Sequence, residues 1–290
     1  MFRTAAVFAA VALAFGPTPD QNRPIQLEAA ECSQVNQMFG DYEVGRAVQH
    51  ARVPVSGSPL ELRPDSNGGV RIERGSGGEF AVTACIGAGA RSQAEAQAAA
   101  DSVRLEVSGN RVRVTGMGDR EVRNWSVQLV VLAPDGAAID VTTMNGPIGV
   151  SNISGTFALR ASNGPISLSG VEGEVKATAS NGPISIEGGR GTFNVETANG
   201  PIGVRLTGRS WDGSLTARAG NGPLTLSLPA DYQSGVEVTS SGKSPWSCRA
   251  SACRNAGGDW DDRVRTLRFG GGPVAIQLST VNGPVTINER

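Results

Sequence analysis

One tripeptide, Asn-Gly-Pro, recurs six times in this chain of 290 residues and constrains its fold more than any other feature. It stands at Asn145-Gly146-Pro147, Asn163-Gly164-Pro165, Asn181-Gly182-Pro183, Asn199-Gly200-Pro201, Asn221-Gly222-Pro223 and Asn282-Gly283-Pro284. The first three steps (163 − 145, 181 − 163, 199 − 181) are 18 residues each, the next is 22 and the last is 61. A short fixed period marks a repeat architecture, in which one supersecondary unit stacks on the next. The long last step reads as an insertion within one unit.

After each Asn-Gly-Pro the apolar residues alternate: Ile148/Val150, Ile166/Leu168, Ile184/Ile186, Ile202/Val204 and Leu224/Leu226. A second alternating run precedes the next Asn, as in Phe157/Leu159/Ala161 and Phe193/Val195/Thr197. Period-2 alternation over short runs means strands with one buried face. Asn-Gly between such runs is ordinarily a hairpin signal. Here the closing bond of a two-residue hairpin would need the N–H of the following residue, and proline has none. Proline at the start of a strand is well tolerated. The expected corner has Asn in the left-handed region and Gly, preceding Pro, extended. Each unit is therefore read as one coil of a parallel β-solenoid, an all-β single-chain fold with coils of 18–22 residues. Strands of successive coils would pair at about 4.8 Å, so roughly six or seven coils make a rod of about 30 Å. Aligned Asn side chains could form a hydrogen-bonded ladder. Corner geometry accounts for the tripeptide; the functional reading is a regular ligand-binding edge.

Residues 1–16 have the pattern of a signal peptide: Arg3, an apolar run Ala5 to Phe15, and Ala12-Leu13-Ala14 as cleavage site. That run is too short to cross a bilayer. No second such stretch follows, so no transmembrane segment is expected in the mature chain. Residues 17–44 read as a linker or irregular start. Residues 45–140 read as an N-terminal β region holding one short helix at 92–101, where Ser92 and Glu95 have capping-box spacing before an alanine-rich run. This region supplies a cap or the first coils, as an exposed solenoid end requires. Residues 141–290 form the repeat solenoid, with an inserted loop at 239–264. One continuous body is expected.

The chemistry on offer is sparse. Twenty-six basic and 27 acidic residues leave a net charge of −1, with no electrostatic footprint for nucleic acid. Four cysteines in an exported chain point to disulfides, Cys248 with Cys253 and Cys32 with Cys85. A zinc site lacks C-x2-C spacing, and His50 is the only histidine, so a histidine-based catalytic site is not expected. No cofactor and no metal are expected. Carboxylate-based glycan cleavage would need two acids about 5–10 Å apart. Glu172, Glu174, Glu187 and Glu196 are the candidates, with scattered solvated charge as the simpler reading. In the 239–264 segment Trp246 and Trp260 flank the second cysteine pair, with Arg249 and Arg254 beside them. Trp and Arg are enriched at binding hot spots. The simpler account is a disulfide-held flap covering the solenoid.

The repeated strand-Asn-Gly-x-Ile corners, after an alanine-rich helix and a signal peptide, resemble the bacterial family named "putative adhesin", related to the adhesin-head domain. The resemblance spans about residues 45–290 and is strongest over 140–230. It implies exported β-solenoid domains whose function is uncharacterised. The family pattern places an acidic residue after Asn-Gly, where this chain has Pro147, Pro165, Pro183, Pro201, Pro223 and Pro284, which removes a row of carboxylates. The resulting expectation is an exported, non-catalytic binding or scaffold module of the bacterial envelope, at the periplasm, cell surface or beyond. Its partner would be a protein or glycan. The alternatives are a carbohydrate-active β-helix enzyme (a glycan lyase or hydrolase) and a periplasmic structural or assembly protein.

Overall fold

The computed structural model describes residues 32, 39–64, 67–116, 124–241, 244–258 and 264–290. The expected signal peptide, and residues 17–31 and 33–38 of the expected linker, lie outside the described residues. In chain order the elements begin with β1 (Glu43–Pro54), β2 (Leu60–Arg63), β3 (Gly68–Arg74), β4 (Glu79–Ala90), α1 (Gln93–Ser102), β5 (Arg104–Ser108), β6 (Arg111–Thr115) and β7 (Trp125–Ala133). The repeats supply β8 (Ala137–Asn145), β9 (Ile148–Ser151), β10 (Ser154–Asn163), β11 (Ile166–Ser169), β12 (Glu172–Asn181), β13 (Ile184–Glu187), β14 (Arg190–Asn199), β15 (Ile202–Arg205), β16 (Gly213–Asn221) and β17 (Leu224–Leu228). Last come β18 (Ser234–Ser241), β19 (Trp246–Cys248), a 3-10 turn (Ser251–Asn255), β20 (Val264–Phe269), β21 (Gly271–Asn282) and β22 (Val285–Glu289).

The fold is all-β, built on two large, mostly parallel sheets that do not close. Each repeat unit gives one strand to each sheet, and equivalent residues of successive units stand opposite one another. In one sheet Phe157 faces Val175, Val175 faces Phe193 and Phe193 faces Leu215. In the other, Ile148, Ile166, Ile184, Ile202, Leu224 and Val285 form a single column. All of these side chains are buried. Burying one Ile, Val, Leu or Phe side chain stabilises by about 1.5–3 kcal/mol. A lone unit has nothing to bury against, so the favourable term exists only between neighbours.

The corners explain the tripeptide, with one correction. Among the described residues Asn152 (φ 51°) is the one non-glycine with positive φ, so the corner asparagines are not left-handed. Their selection comes from the side chain, described below. Glycine is selected by close approach. A Cβ at Gly164 would lie 2.3 Å from Gly146 O, and one at Gly182 would lie 2.2 Å from Gly164 O. Proline keeps its carbonyl available: Ile148 N–H donates to Pro165 O, and Ile166 N–H to Pro183 O, both at 2.9 Å. The missing proline N–H is not called upon.

The 22-residue step has its own cause. Its longer connection brings in Trp211, which is buried, packs edge-on to Phe193 at 5.2 Å and donates from Nε1 to Gly191 O at 3.0 Å.

The order of strands departs from the chain order at both ends. At the start, β2 lies between β6 and β8, and β3 between β7 and β9. At the finish, β21 lies between β16 and β18, and β22 between β17 and β19. The segment 239–264 is thus not simply a loop inserted in one coil. β18 runs through Ser241, β19 pairs with β22, and β20 begins at Val264. Ser244-Pro245 makes an imperfect corner: Pro245 O accepts from Val285 N, and Ser244 Oγ accepts from Gly283 N. The short length and low alternation of β19 hid it.

Antiparallel pairs blunt the outer edges: β1 with β4, β5 with β6, and β20 with β18. α1 starts at its Ser92 cap, whose Oγ accepts from Glu95 N. The helix buries Ala96, Ala99 and Ala100 and rides so close on β1 that a Cβ at Gly45 would lie 2.1 Å from Ala96 O. Gln49 ties this end together, donating to Val103 O and accepting from Leu105 N at 2.8 Å.

Candidate binding surface

Every Asn-Gly-Pro corner lies on one exposed edge, and its asparagines bond to each other. Asn163 Nδ2 donates to Asn145 Oδ1 (3.0 Å), Asn181 to Asn163 (3.1 Å), Asn199 to Asn181 (3.1 Å), Asn221 to Asn199 (3.0 Å) and Asn282 to Asn221 (2.8 Å). Asn145 donates in turn to Asn67 Oδ1 at 3.4 Å. Asn67-Gly68-Gly69 is therefore a seventh corner, read from sequence only as a turn. Gly69 stands where proline would be, because a Cβ there would meet Gln128 Oε1 at 2.3 Å and the Pro147 ring at 2.9 Å. The repeated Asn-Gly was the available signal. Each inner amide, Asn145 to Asn221, spends one donor and one acceptor on its neighbours, so the edge is first of all a structural seam.

A broader surface lies beside it. On β9, β11, β13, β15, β17 and β22 the outward positions form two columns. One runs Gly149, Ser167, Ser185, Gly203, Thr225, Thr286 and the other Ser151, Ser169, Glu187, Arg205, Ser227, Asn288. No aromatic or aliphatic side chain interrupts them. A shallow depression of about 350 Å³ crosses the middle strands, lined by Ser167, Ser169, Ser185, Glu187, Arg205 and Ser227 among others. Ser167 and Ser185 hydroxyls lie 3.2 Å apart, and Glu187 pairs with Arg205 at 3.5 Å. The face offers hydroxyl donors and acceptors at regular spacing, over an area open to an extended polar chain.

The candidate carboxylates do not converge. Glu187 lies on this face, whereas Glu172, Glu174 and Glu196 belong to strands of the other sheet. Glu172 is paired with Arg190 at 2.7 Å, and Glu196 stands in register with Arg218. Asp140 takes both Arg63 (2.9 Å) and Arg160 (3.1 Å). Pairs as exposed as these contribute about 0–1 kcal/mol each. His50 Nδ1 lies 3.2 Å from Thr83 Oγ1 on the β1–β4 pair. Among the described residues there is no group of three or more His, Cys, Asp or Glu that could hold a metal ion, and no helix long and apolar enough to cross a membrane.

The tryptophan segment is only partly within the described residues; Trp260 lies outside them. Trp246 takes the corner-plus-one position of its strand and faces Val285, at the end of the buried isoleucine column. It is the outermost member of that column and is 37% exposed. The sequence separates Trp246, Arg249 and Arg254 only slightly, and the structure keeps them at the same end of the sheets. Arg249 N–H continues the β22 pairing to Ile287 O at 2.8 Å, and Arg254 lies in the 3-10 turn. Cys248 and Cys253 are bonded, as are Cys32 and Cys85. Glu289 accepts from Ser251 Oγ and from Ser251 N at 2.7 Å, which clasps the turn to β22 and holds the Glu289 carboxyl below its usual value.

No family model matches the chain, and no curated protein does. Solved structures do. A "putative cell adhesion protein" from Clostridium sporogenes ATCC 15579 is 11% identical, with 84% of this chain and 100% of that one covered, at a TM-score of 0.32. A "putative adhesin" from Bacteroides fragilis NCTC 9343 is 11% identical over 84% and 97% of the two chains, at 0.36. A "putative lipid binding protein" from Parabacteroides distasonis ATCC 8503 is 9% identical over 85% and 97%, at 0.29. At that identity and overlap the names describe those proteins alone.

Proposed function

We propose that this chain is an exported, non-catalytic β-solenoid module that binds an extended polar partner, a glycan or protein chain of the bacterial envelope. The observation that carries this reading is the small, polar face over six strands, one column all Ser, Thr and Gly and the other Ser and Asn with the Glu187–Arg205 pair, flanking the Asn seam. In-register pairing repeats the hydroxyls strand after strand, and a surface whose groups are already held in place by pairing has less to order when it takes up an extended partner. Two disulfides fit an oxidising compartment. The engagement of Glu172 and Glu187 by arginines of neighbouring strands favours binding over hydrolysis.

The test has two readouts. Protease shaving of intact host cells, with immunodetection, reports location; an outward or periplasmic pool with oxidised cysteines is expected. Binding of purified protein to envelope polysaccharide and matrix proteins is then compared with a Ser167→Arg/Ser185→Arg variant, which blocks the face while leaving the core intact. A reduced cytoplasmic pool, or equal binding by the variant, would falsify the reading.

A further inference from the structure

The coil that follows β17 in the chain is not its neighbour in space. β18 and β19 sit one place further out, and the gap is filled by β21 and β22. Without residues 270–290 the remaining strands would leave a slot one unit wide. Its walls are unpaired strand edges: β16 and β17 on one side, β18 and β19 on the other. Open parallel edges over an apolar interior bind the next strand available to them.

We propose that this slot accepts the 270–290 coil of a second copy of this chain, so that the protein exchanges its last coil between copies. Two observations support this. The bonds that hold the coil are the generic ones of every corner: Gly222 N–H to Asn282 O (2.7 Å), Leu224 N–H to Pro284 O (2.9 Å) and Val285 N–H to Pro245 O (3.0 Å). Any copy presents them identically. The coil is entered through Gly270-Gly271-Gly272, where Gly270 (φ 83°) and Gly272 (φ 73°) are left-handed, a hinge whose opening costs no packed side chain. Closed and exchanged forms share every contact outside that hinge, so their balance follows protein concentration and hinge strain. Reciprocal exchange yields a closed dimer.

The test uses full-length chains. The four native cysteines are all in disulfides, so an added thiol is unique. Thr216 on β16 and Gln277 on β21 stand in register. A Thr216→Cys copy and a size-tagged Gln277→Cys copy are unfolded together, refolded under oxidising conditions and treated with a short thiol-to-thiol cross-linker. The expected result is a covalent heterodimer whose yield rises with refolding concentration and rises further with Gly270→Ala, which puts a Cβ 2.1 Å from Ser234 O in the closed hinge. The single-chain Thr216→Cys/Gln277→Cys variant reports that the pair is within reach. Intrachain cross-linking in that variant with no heterodimer in the mixture overturns the proposal. So does a dimer, detected by light scattering, that gives no 216–277 link between copies.

Discussion

Asn282 donates to Asn221 Oδ1 at 2.8 Å although 61 residues separate them, a shorter contact than any between rungs one repeat apart. The seam is therefore continuous across the place where the chain is not. Removing a central rung should interrupt it. Asn181→Ala loses the bonds to Asn163 and Asn199 together and is expected to cost about 1–2 kcal/mol in urea unfolding. Asn67→Ala, which loses one long bond, should cost less than half of that. Equal losses at both sites would show that the amides act singly and not as a seam.

Glycine at the corner is set by space, which separates two kinds of glycine. Gly182→Ala places a Cβ 2.2 Å from Gly164 O, a backbone atom that cannot move aside, and should destabilise by about 3 kcal/mol or more. Gly149→Ala meets nothing within 4 Å and should be neutral or stabilise by up to about 1 kcal/mol. Thermal melts of the two variants decide it. A tolerated Gly182→Ala would mean that neighbouring repeat units part more easily than the corner distances indicate.

Among the described residues three carboxyls are held below their usual values. Glu61 is lowered by the hydrogen bond from Arg111, Asp135 by the N–H and hydroxyl of Ser154, and Glu289 by the hydroxyl and N–H of Ser251. A folded value below the unfolded one contributes stability that is complete above the usual values of 4.5 and 3.8 and is lost as pH falls through the folded value. The melting temperature should thus hold from neutral pH to the usual carboxylate range and fall below it. Asp135→Asn and Glu289→Gln should each flatten that fall. Variants whose acid limb parallels the parent would assign the loss to other groups.

The two disulfides should differ in worth. Cys32–Cys85 spans 53 residues and Cys248–Cys253 spans 5. Loop-closure entropy gives about 4 kcal/mol for the first and about 2 kcal/mol for the second. Paired Cys→Ser variants, compared by denaturant titration, should preserve that order.

Much of this molecule could be read from its letters, because a repeat states the same physical requirement several times. The alternation of Ile166 and Leu168 with Ser167 and Ser169 gave faces and strands, and proline after Asn-Gly excluded hairpins. What stayed hidden has a common cause: pairing between successive repeat units is made largely by backbone, so the strands of one unit fit against those of any other. Asn282-Gly283-Pro284 marked β21 as the rung after β16, but nothing in the residues of β18 said that it lies beyond β21, nor in those of β2 that it lies inside β6. The Asn67 corner was masked because Gly69 replaced the proline under pressure from Gln128 and Pro147. For the corner asparagines both a left-handed backbone and a side-chain ladder were legible; the structure has the ladder and not the left-handed backbone. Of the surface, the carboxylates were visible as letters, but their dispersal over two sheets was not.

The out-of-order strands at both ends leave the units from β8 to β17 as successive repeats between two fixed terminations. A tandem duplication of one 18-residue unit would therefore lengthen the module by about 4.8 Å and add one rung and one hydroxyl pair, with neither termination disturbed. Reach is a quantity that lineages of such a chain can adjust in whole steps by copying, without inventing any new contact.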